Sequence, residues 1–242
     1  MDFGNALGEG VLIPDQHEAL LQHWMFTVDA TTHTVVLPDG CRDLIIQVLP
    51  DGRKLVMVSD VDTVAYQAEA AVGVQFIGYR FRPAAVVDAP KLLRAVGGMK
   101  YADVFDVLDV IDACVQVDWR LDEALGSLQE GQTVASASAF LGVSERTVER
   151  LVKARTGFSP VFWRSLARVR KAAKVIKAYT AHKDSLNRAC DVRYMSMSDI
   201  AAECGYADQA HMNREFRRWF GVSPGVFQSQ AQWLNALFPG YG

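Results

Sequence analysis

The stretch DIAAECGYADQAHMNREFRRWFGVSP, residues 199–224, combines a short apolar segment, a glycine turn and a longer amphipathic segment. A less similar copy, LGVSERTVERLVKARTGFSP, occupies residues 141–160. A shift of 64 residues aligns Arg150 with Arg214 and superimposes the Ser-Pro pairs that end both copies. The sequence therefore predicts that one small helix-turn-helix unit occurs twice.

The residues at the predicted helix ends agree with this duplication. Ser144 and Asp208 precede the two longer helices and are predicted to be their N-caps, because their side-chain oxygens can accept hydrogen bonds from free backbone amides. Gly157 and Gly221 follow the same helices, where a residue in the left-handed conformation commonly ends a helix. Both copies are therefore expected to have the same layout of turn and caps.

The longer helix of each copy has an apolar face and a polar face. Val148, Leu151 and Val152 follow the i, i+3, i+4 spacing and are expected to face inward. The outward stripes are Arg146, Glu149, Arg150 and Lys153 in the first copy, and Ala210, Asn213, Arg214 and Arg217, with Gln209 beside them, in the second. Such a helix fits the major groove of B-DNA, where Arg pairs with guanine, Asn or Gln with adenine, and Glu with cytosine. A solvated face explains either stripe alone, but the duplication favours DNA reading.

Other basic residues around the two copies are expected to hold phosphates, which sets the register on a duplex without reading its sequence. The predicted phosphate contacts are Ser144, Lys153, Arg155, Arg164, Arg168, Arg170, Lys171, Lys174, Arg217 and Arg218. The segment 159–180 is predicted to be one helix of about 20 residues and about 30 Å, close to the roughly 34 Å of one duplex turn. Two reading helices could then enter successive major grooves without dimerisation.

The charge of the chain is divided between its halves. Residues 132–242 hold 16 Lys and Arg against 8 Asp and Glu, whereas residues 1–131 hold 9 against 20. A basic lobe suits a polyanion, because Lys and Arg contacts to phosphate release condensed counterions. The chain is accordingly predicted to have a regulatory domain at 1–125 with helices available for dimer contacts, a linker at 126–132 and a DNA-binding domain at 133–242.

The composition of the chain further limits the class of protein to which it can belong. At 242 residues and 50% hydrophobic composition, the chain can bury a sizeable core. It has no run of about 18 uncharged apolar residues and no pattern of a secretory signal, so we expect no membrane partner and a cytoplasmic location. Four cysteines without a C-x-x-C pair indicate buried thiols rather than disulfides or a zinc finger. No cofactor is predicted.

The amino-terminal part is predicted to form strands followed by helices. Two apolar, β-branched runs within 34–60 are separated by Pro50, Asp51 and Gly52, which predicts a hairpin, and 72–81 is a further strand. Beyond it the period of the apolar residues becomes helical. The predicted helices lie in AAVVDAPKLLRAV (84–96), YADVFDVLDVI (101–111) and DWRLDEALGSL (118–128).

Two arginines are candidate ligand-binding residues of this part. Arg80 and Arg82 lie beside aromatic residues and could meet an anionic effector inside a small barrel. A strand whose alternate side chains point to solvent explains the same pattern. The apolar face at 104–115 fits either a partner helix or the sheet of its own domain.

Catalytic and metal-binding residues are not indicated. His33, Cys41 and Asp43 lack the order and spacing of a Cys-His-Asp arrangement. Cys41 is instead expected to be buried, and Asp43 to be a local hydrogen-bond acceptor or a partner of Arg42. His33 is the single histidine of the predicted strands, since His23 falls in a segment expected to precede them, so no metal site is predicted.

The two copies resemble the DNA-binding domain of AraC/XylS-type bacterial transcription regulators, which carries two helix-turn-helix units joined by a helix. The stretches 199–224 and 141–160 carry this resemblance, and it extends over about residues 133–228. It implies a set of base-facing positions. In this sequence they are Arg146, Glu149, Arg150, Gln209, Asn213 and Arg214.

The chain departs from the family pattern at two places. Extra residues at 181–195 lie where the family has a short connection between the linker helix and the second unit. Glu215 falls where the first copy has the inward-facing Leu151, so its carboxylate is expected to be exposed or to lie near Arg214 or Arg218.

The amino-terminal part resembles the β-rich sensor domains of some family members, through LPDGCRDLI (37–45) and GYRFRP (78–83). The expected fold class is α+β, with an N-terminal cupin-like β-barrel and flanking helices, and a C-terminal all-α domain of two helix-turn-helix units joined by a linker helix. Double-stranded DNA is the expected partner. RNA polymerase, a small-molecule effector and a second copy of the chain stay open as further partners.

These features favour a sequence-specific DNA-binding transcription regulator, controlled by an effector or partner at its N-terminal domain. One alternative is a regulatory protein-interaction module with degenerate or cryptic DNA-binding helices, prompted by Glu145, Glu149, Glu215 and the extra residues. Another is an enzyme fused to a DNA-binding module, as in DNA-repair methyltransferases with similar helices. The chain lacks the clustered cysteines of that precedent, so no enzyme activity is predicted.

Overall fold

The computed structural model of the protein describes residues 17–30, 32–99, 104–130, 133–185 and 195–242. Its internal contacts divide the chain into two compact units. The first comprises residues up to His33, Cys41–Val61 and Glu69–Asp122, and the second comprises Thr34–Gly40, Asp62–Ala68 and Glu123–Gly242. Two short segments from the first 68 residues therefore belong to the second unit.

The first unit contains a four-stranded antiparallel sheet. Its strands are β1 (Leu20–Thr27), β3 (Asp43–Val48), β4 (Lys54–Val58) and β6 (Gln75–Phe81), in the order β1-β6-β3-β4. The predicted hairpin is confirmed, since Val48 pairs with Lys54 across a turn in which Gly52 has a φ of 83°. The predicted strand within 72–81 is also confirmed, as β6.

The remaining strands form two small sheets. β2 (Thr32–Val36) pairs with β5 (Tyr66–Ala70), and β7 (Ala85–Val87) pairs with β8 (Val115–Val117). A barrel requires the edge strands of its sheet to pair and close. In the described residues β1 and β4 stay at the two edges of the larger sheet, so the strands form open sheets rather than the predicted closed barrel.

Helices α1 (Ala89–Gly97) and α2 (Val104–Cys114) complete the core of the first unit. Sheet residues Leu44 and Phe81 are fully buried in one cluster with Leu92 of α1 and Ile111 of α2. Each such side chain contributes about 1.5–3 kcal/mol relative to an exposed one. The apolar face of α2 therefore packs within its own unit, as one of the two interpretations of residues 104–115 anticipated.

Two predictions for this unit are wrong. His23 belongs to strand β1 rather than to a segment before the strands. β1 is partly buried on both faces, so its sequence lacks the polar and apolar alternation that indicates a strand. The predicted helix at 84–96 begins only at Ala89, where the side chain of Asp88 accepts a hydrogen bond from the amide of Lys91, and the preceding residues form β7.

The second unit is largely helical. Its helices are the carboxy-terminal part of α3 (Trp119–Gln129), then α4 (Val134–Phe140), α5 (Glu145–Thr156), α6 (Pro160–Ser185), α7 (Met197–Glu203), α8 (Gln209–Phe220), α9 (Pro224–Ser229) and α10 (Ala231–Asn235). Helix α6 supplies the core residues Trp163, Leu166, Val169 and Ile176, and it packs against α5, α7, α8 and α9. With 26 residues it is about 39 Å long, longer than predicted.

The predicted domain limits stay a prediction. Part of the predicted linker at 126–132 is helical, because α3 continues through Gly126 to Gln129 and buries Leu128. No helix within the described ranges is long and apolar enough to cross a membrane.

Candidate nucleic-acid interface

The first helix-turn-helix unit is formed by α4 and α5. Gly142 lies in the turn between them with a φ of 66°, a conformation that a side chain would strain. Ser144 caps α5 by accepting a hydrogen bond from the Thr147 amide at 3.2 Å, and Gly157 ends the helix with a φ of 81°. The predicted turn and both predicted caps are confirmed.

The second helix-turn-helix unit, formed by α7 and α8, repeats this arrangement. Gly205 has a φ of 74° in the turn, Asp208 accepts a hydrogen bond from the His211 amide at 2.6 Å, and Gly221 ends α8 with a φ of 75°. Ser196 and Asp199 add a reciprocal capping box at the start of α7. The two reading helices, α5 and α8, each contain 12 residues.

The inward faces of the reading helices also correspond. Val148 and Val152 are buried in α5, and the aligned Met212 and Phe216 are buried in α8. Helix α8 also buries Trp219, whose indole N–H donates to the hydroxyl of Ser165 on α6 at 2.8 Å. Each reading helix is therefore fixed to the core by one apolar face, which leaves the other face outward.

The proposed base-contacting residues lie on these outward faces. Five of them, Arg146, Glu149, Arg150, Gln209 and Arg214, are exposed. Asn213 is half-buried, and the side-chain oxygen of Gln209 accepts a hydrogen bond from the Ser198 hydroxyl at 3.0 Å. Gln209 is thus held against α7, whereas Arg150 and Arg214 lie in the middle of α5 and α8.

The residues predicted to hold phosphates fall into different environments. The exposed ones are Ser144, Lys153, Arg155, Lys171, Lys174, Arg217 and Arg218. The hydroxyl oxygen of Ser144 is already the cap of α5, and the ammonium of Lys174 donates to the backbone carbonyl of Gly242. Partial burial and the charge of Arg170 lower the pKa of Lys174. Arg164 is half-buried.

The prediction for Arg170 is wrong. Its side chain is fully buried, and its guanidinium donates to the carbonyls of Pro38 at 3.1 Å and Phe238 at 2.6 Å. The carboxy-terminal segment is fixed at the same place, because the Tyr241 amide donates to the Asp39 carbonyl and its hydroxyl donates to the Leu125 carbonyl, both at 2.8 Å. Arg170 therefore holds the second unit together and is inaccessible to a phosphate.

Arg168 and Glu215 form an ion pair between α6 and α8, with 3.0 Å between the Arg168 Nη2 and the Glu215 Oε2. Glu215 also accepts a hydrogen bond from the Ser165 hydroxyl at 2.8 Å. The expectation that Glu215 would be exposed or lie near Arg214 or Arg218 is therefore wrong. Its carboxylate turns to the linker helix, where two donors offset the cost of its burial.

The candidate ligand residues of the first unit differ in exposure. Arg82 is exposed, but Arg80 is buried and forms a bidentate pair with Asp43, with Nε to Oδ1 at 3.0 Å and Nη2 to Oδ2 at 2.9 Å. Asp43 therefore pairs with Arg80, on the neighbouring strand, rather than with Arg42. Cys41 is buried, as expected.

Some sequence predictions concern residues that the structure does not describe. Helix α6 extends to Ser185, so the extra residues at 181–195 begin as a continuation of the linker helix. Residues 186–194, which include Cys190, lie outside the described ranges. Within those ranges, no group of three or more His, Cys, Asp or Glu residues is arranged to hold a metal ion.

Comparison with known proteins agrees with a helix-turn-helix domain in this part of the chain. Residues 137–230 match a helix-turn-helix domain family. The chain is 31% identical over 111 residues to the HTH-type transcriptional activator RhaS of Klebsiella pneumoniae (strain 342), covering 44% of this chain and 35% of that protein. It thus spans about a third of the length of this curated relative.

Solved structures to which the chain is similar include a transcriptional regulator from Chromobacterium violaceum, described as an AraC-type DNA-binding domain-containing protein. It is 21% identical, with 46% of this chain and 90% of that chain covered and a TM-score of 0.38. ToxT from Vibrio cholerae is 9% identical, with 88% and 98% covered and a TM-score of 0.43.

Two capped helix-turn-helix units on one linker helix define this chain as a tandem helix-turn-helix protein. Its β-sheets lie in the amino-terminal part of the sequence. Its residues 137–230 form a helix-turn-helix domain of the family that they match, and a β-rich region precedes them.

Proposed function

We propose that the protein is a sequence-specific DNA-binding transcription regulator. The observation that carries the proposal is the repetition of one exposed arginine at the same position of two equally capped helices. An arginine in the middle of an exposed helix face can form two hydrogen bonds to guanine in the major groove. The curated relative named above is described as a transcriptional activator, which supports the same class of function.

In this proposal base contacts select the sequence and phosphate contacts supply much of the affinity. Arg146, Glu149 and Arg150 read one element, and Gln209, Asn213 and Arg214 read the other. The phosphate contacts are the exposed basic residues Lys153, Arg155, Lys171, Lys174, Arg217 and Arg218, with the capped amino terminus at Ser144.

We further propose that the N-terminal β-rich region acts as a sensor and controls how the reading helices are presented. Of the two candidate ligand residues, Arg82 offers an exposed charge to an anionic effector, whereas Arg80 is paired with Asp43. A homodimer and RNA polymerase are further proposed partners. Differential affinity of an effector for two states of the chain would supply the control.

A protein-interaction module is the second candidate function. Phe140, at the end of α4, and Val143, in the turn after it, are 73% and 42% exposed, and neighbouring exposed apolar side chains beside a reading helix suit a protein partner. Of the carboxylates that prompted this alternative, Glu145 and Glu149 are exposed and can meet a partner, whereas Glu215 is paired with Arg168. Affinity for a duplex that stays constant as salt is raised would favour this candidate.

Selection of bound duplexes from a random pool with the full chain tests the proposal. We expect two enriched elements about one helical turn apart, because each reading helix enters its own major groove. We also expect the logarithm of the affinity to fall linearly with the logarithm of the salt concentration, and Lys171→Ala to reduce that slope by about 1. A pool without enriched sequences would contradict the proposal.

A further inference from the structure

We propose that Arg168 and Glu215 are a positioning pair that fixes the second reading helix on the linker helix and thereby sets the spacing between the two DNA elements. This inference rests on the proposed function. It assigns to Arg168 a role other than the phosphate contact that the sequence predicted.

The contacts of the pair join the linker helix to two parts of the second helix-turn-helix unit. The guanidinium of Arg168, on α6, donates to Glu215 on α8, and its central carbon lies 4.6 Å from the centroid of the Tyr206 ring. Tyr206 belongs to the turn that precedes α8. One arginine of the linker helix therefore contacts both the turn and the reading helix of the second helix-turn-helix unit.

A second set of contacts acts on the next turn of both helices. The Ser165 hydroxyl accepts a hydrogen bond from the Trp219 indole and donates one to Glu215, each at 2.8 Å. Ser165 and Arg168 are three residues apart on α6, and Glu215 and Trp219 are four apart on α8, so each pair lies on one helix face. The four side chains thus connect two turns of one helix with two turns of the other.

Hydrogen bonds of this kind restrict the placement of a helix more than apolar packing does, because they depend on direction as well as distance. The side chains of Glu215 and Arg168 are only 12% and 29% exposed. Water therefore competes weakly for their donors and acceptors, and a shift of α8 along α6 would leave a charged group without its partner. The pair penalises sliding and rotation of the reading helix.

The first helix-turn-helix unit has no equivalent ion pair at the position aligned with Glu215. The residue there is Leu151, which is half-buried and apolar. Helix α5 is instead connected to α6 near its end, where the Trp163 indole donates to the Thr156 hydroxyl at 3.0 Å. The polar pair therefore belongs specifically to the attachment of the second reading helix.

The test measures the spacing preference of the full chain. Duplexes carrying the two elements selected by the wild-type protein are prepared with the intervening distance varied one base pair at a time, together with duplexes that carry the first element alone. We expect the wild type to prefer one spacing. Glu215→Leu introduces the residue found at the aligned position Leu151 of the first helix-turn-helix unit. It should reduce that preference by about tenfold and leave affinity for the first element unchanged.

Two further variants separate positioning from folding. Arg168→Lys keeps the charge but loses the guanidinium geometry, and should broaden the spacing preference to a lesser degree. Glu203→Gln, which changes an exposed carboxylate of α7 without an assigned DNA contact, is the matched control and should leave the preferred spacing unchanged. Circular dichroism of each variant establishes that it is folded, and if Glu215→Leu fails to fold, Arg168→Lys carries the test.

Each outcome decides the matter. A folded variant of the pair that keeps the wild-type spacing preference, or that loses affinity equally at all spacings, overturns the inference and indicates a purely stabilising or phosphate-binding role. A wild-type chain that selects no sequence at all overturns the proposed function, and this inference with it. A spacing preference broadened only in the variants of the pair supports the inference.

Discussion

Arg150 and Arg214 occupy equivalent positions in the two reading helices. Each is the sixth residue after its N-cap, Ser144 or Asp208, in a helix of 12 residues, and both side chains are exposed. Because the caps fix where each helix begins, the two arginines also lie at the same height above their turns. This equivalence makes them the first residues to test as readers of DNA sequence.

Arg214→Ala should weaken binding to the selected duplex much more than binding to a scrambled one. A bidentate contact between arginine and guanine discriminates by about 1–3 kcal/mol, which is lost when the guanidinium is removed. Arg150→Ala should act in the same way on the other element. Fluorescence anisotropy with both duplexes measures the effect.

The matched control for Arg214→Ala is Lys153→Ala, which removes an exposed charge assigned to phosphate. It should weaken binding to selected and scrambled duplexes by similar factors, because phosphate contacts are independent of sequence. Equal losses on both duplexes for Arg214→Ala would contradict the assignment of this residue to base reading.

Arg170→Ala should destabilise the protein, whereas Lys171→Ala should have little effect on stability. The first change removes a buried guanidinium and leaves the carbonyls of Pro38 and Phe238 without their donor. Unsatisfied buried groups cost about 1–3 kcal/mol each, so we expect a loss of roughly 3 kcal/mol in the free energy of unfolding. Urea unfolding measures it, and a loss no larger than that of the exposed Lys171 control would refute the structural role.

The stability of the protein should fall as the pH decreases below about 6.5, the usual pKa of histidine. His23 is buried against Tyr79, with 4.8 Å between the ring centroids, and burial lowers the pKa of His23. Below that pH the unfolded chain binds a proton that the folded chain excludes, so the free energy of unfolding declines by at most about 1.4 kcal/mol per pH unit. Above it both states are neutral and this residue contributes no slope.

Urea unfolding of the wild type and of His23→Gln between pH 7.5 and 5.5 checks this expectation. The variant cannot titrate at this position, so its stability should change less over the same interval. Parallel curves for the two proteins would assign the pH dependence to other groups.

Gly78→Ala should destabilise the first unit, because a β-carbon at this position would overlap the indole of Trp24 on the paired strand. Displacing a packed ring costs about 1–3 kcal/mol. Gly97→Ala is the control, since a β-carbon there would meet no atom within 4 Å beyond the neighbouring residues and the backbone of its own helix, and alanine favours the helix by up to about 1 kcal/mol. Thermal unfolding should lower the Tm of the first variant and preserve or raise that of the second.

Local chemistry explains what could be predicted from the sequence. Caps, turn glycines and helix faces occur at fixed offsets, so Ser144, Asp208 and the apolar stripe of α5 could be identified without knowledge of the fold. The duplication strengthened each of these predictions, because the same features recur 64 residues later. The two reading helices were therefore predictable nearly in full.

Long-range contacts explain what was missed. Arg170 has the same kind of neighbours in sequence as Lys171, and its burial depends on Pro38, which lies 132 residues away. The pairing of Arg168 with Glu215 spans 47 residues, and that of Arg80 with Asp43 spans 37. No local pattern specifies which acidic residue each arginine meets, and the closure of a sheet depends on the same kind of distant pairing.

The helical unit is discontinuous in sequence, since it includes the segment Thr34–Gly40. Excising residues 133–242 would therefore remove three acceptors at once, the carbonyls of Pro38 and Asp39 and that of Leu125. In such a fragment Arg170 would keep the carbonyl of Phe238 but lose that of Pro38, and the amide and hydroxyl of Tyr241 would lose both acceptors. An autonomous version of the helical unit has to retain these acceptors, for example by fusing the 34–40 loop and the end of α3 to the excised helices.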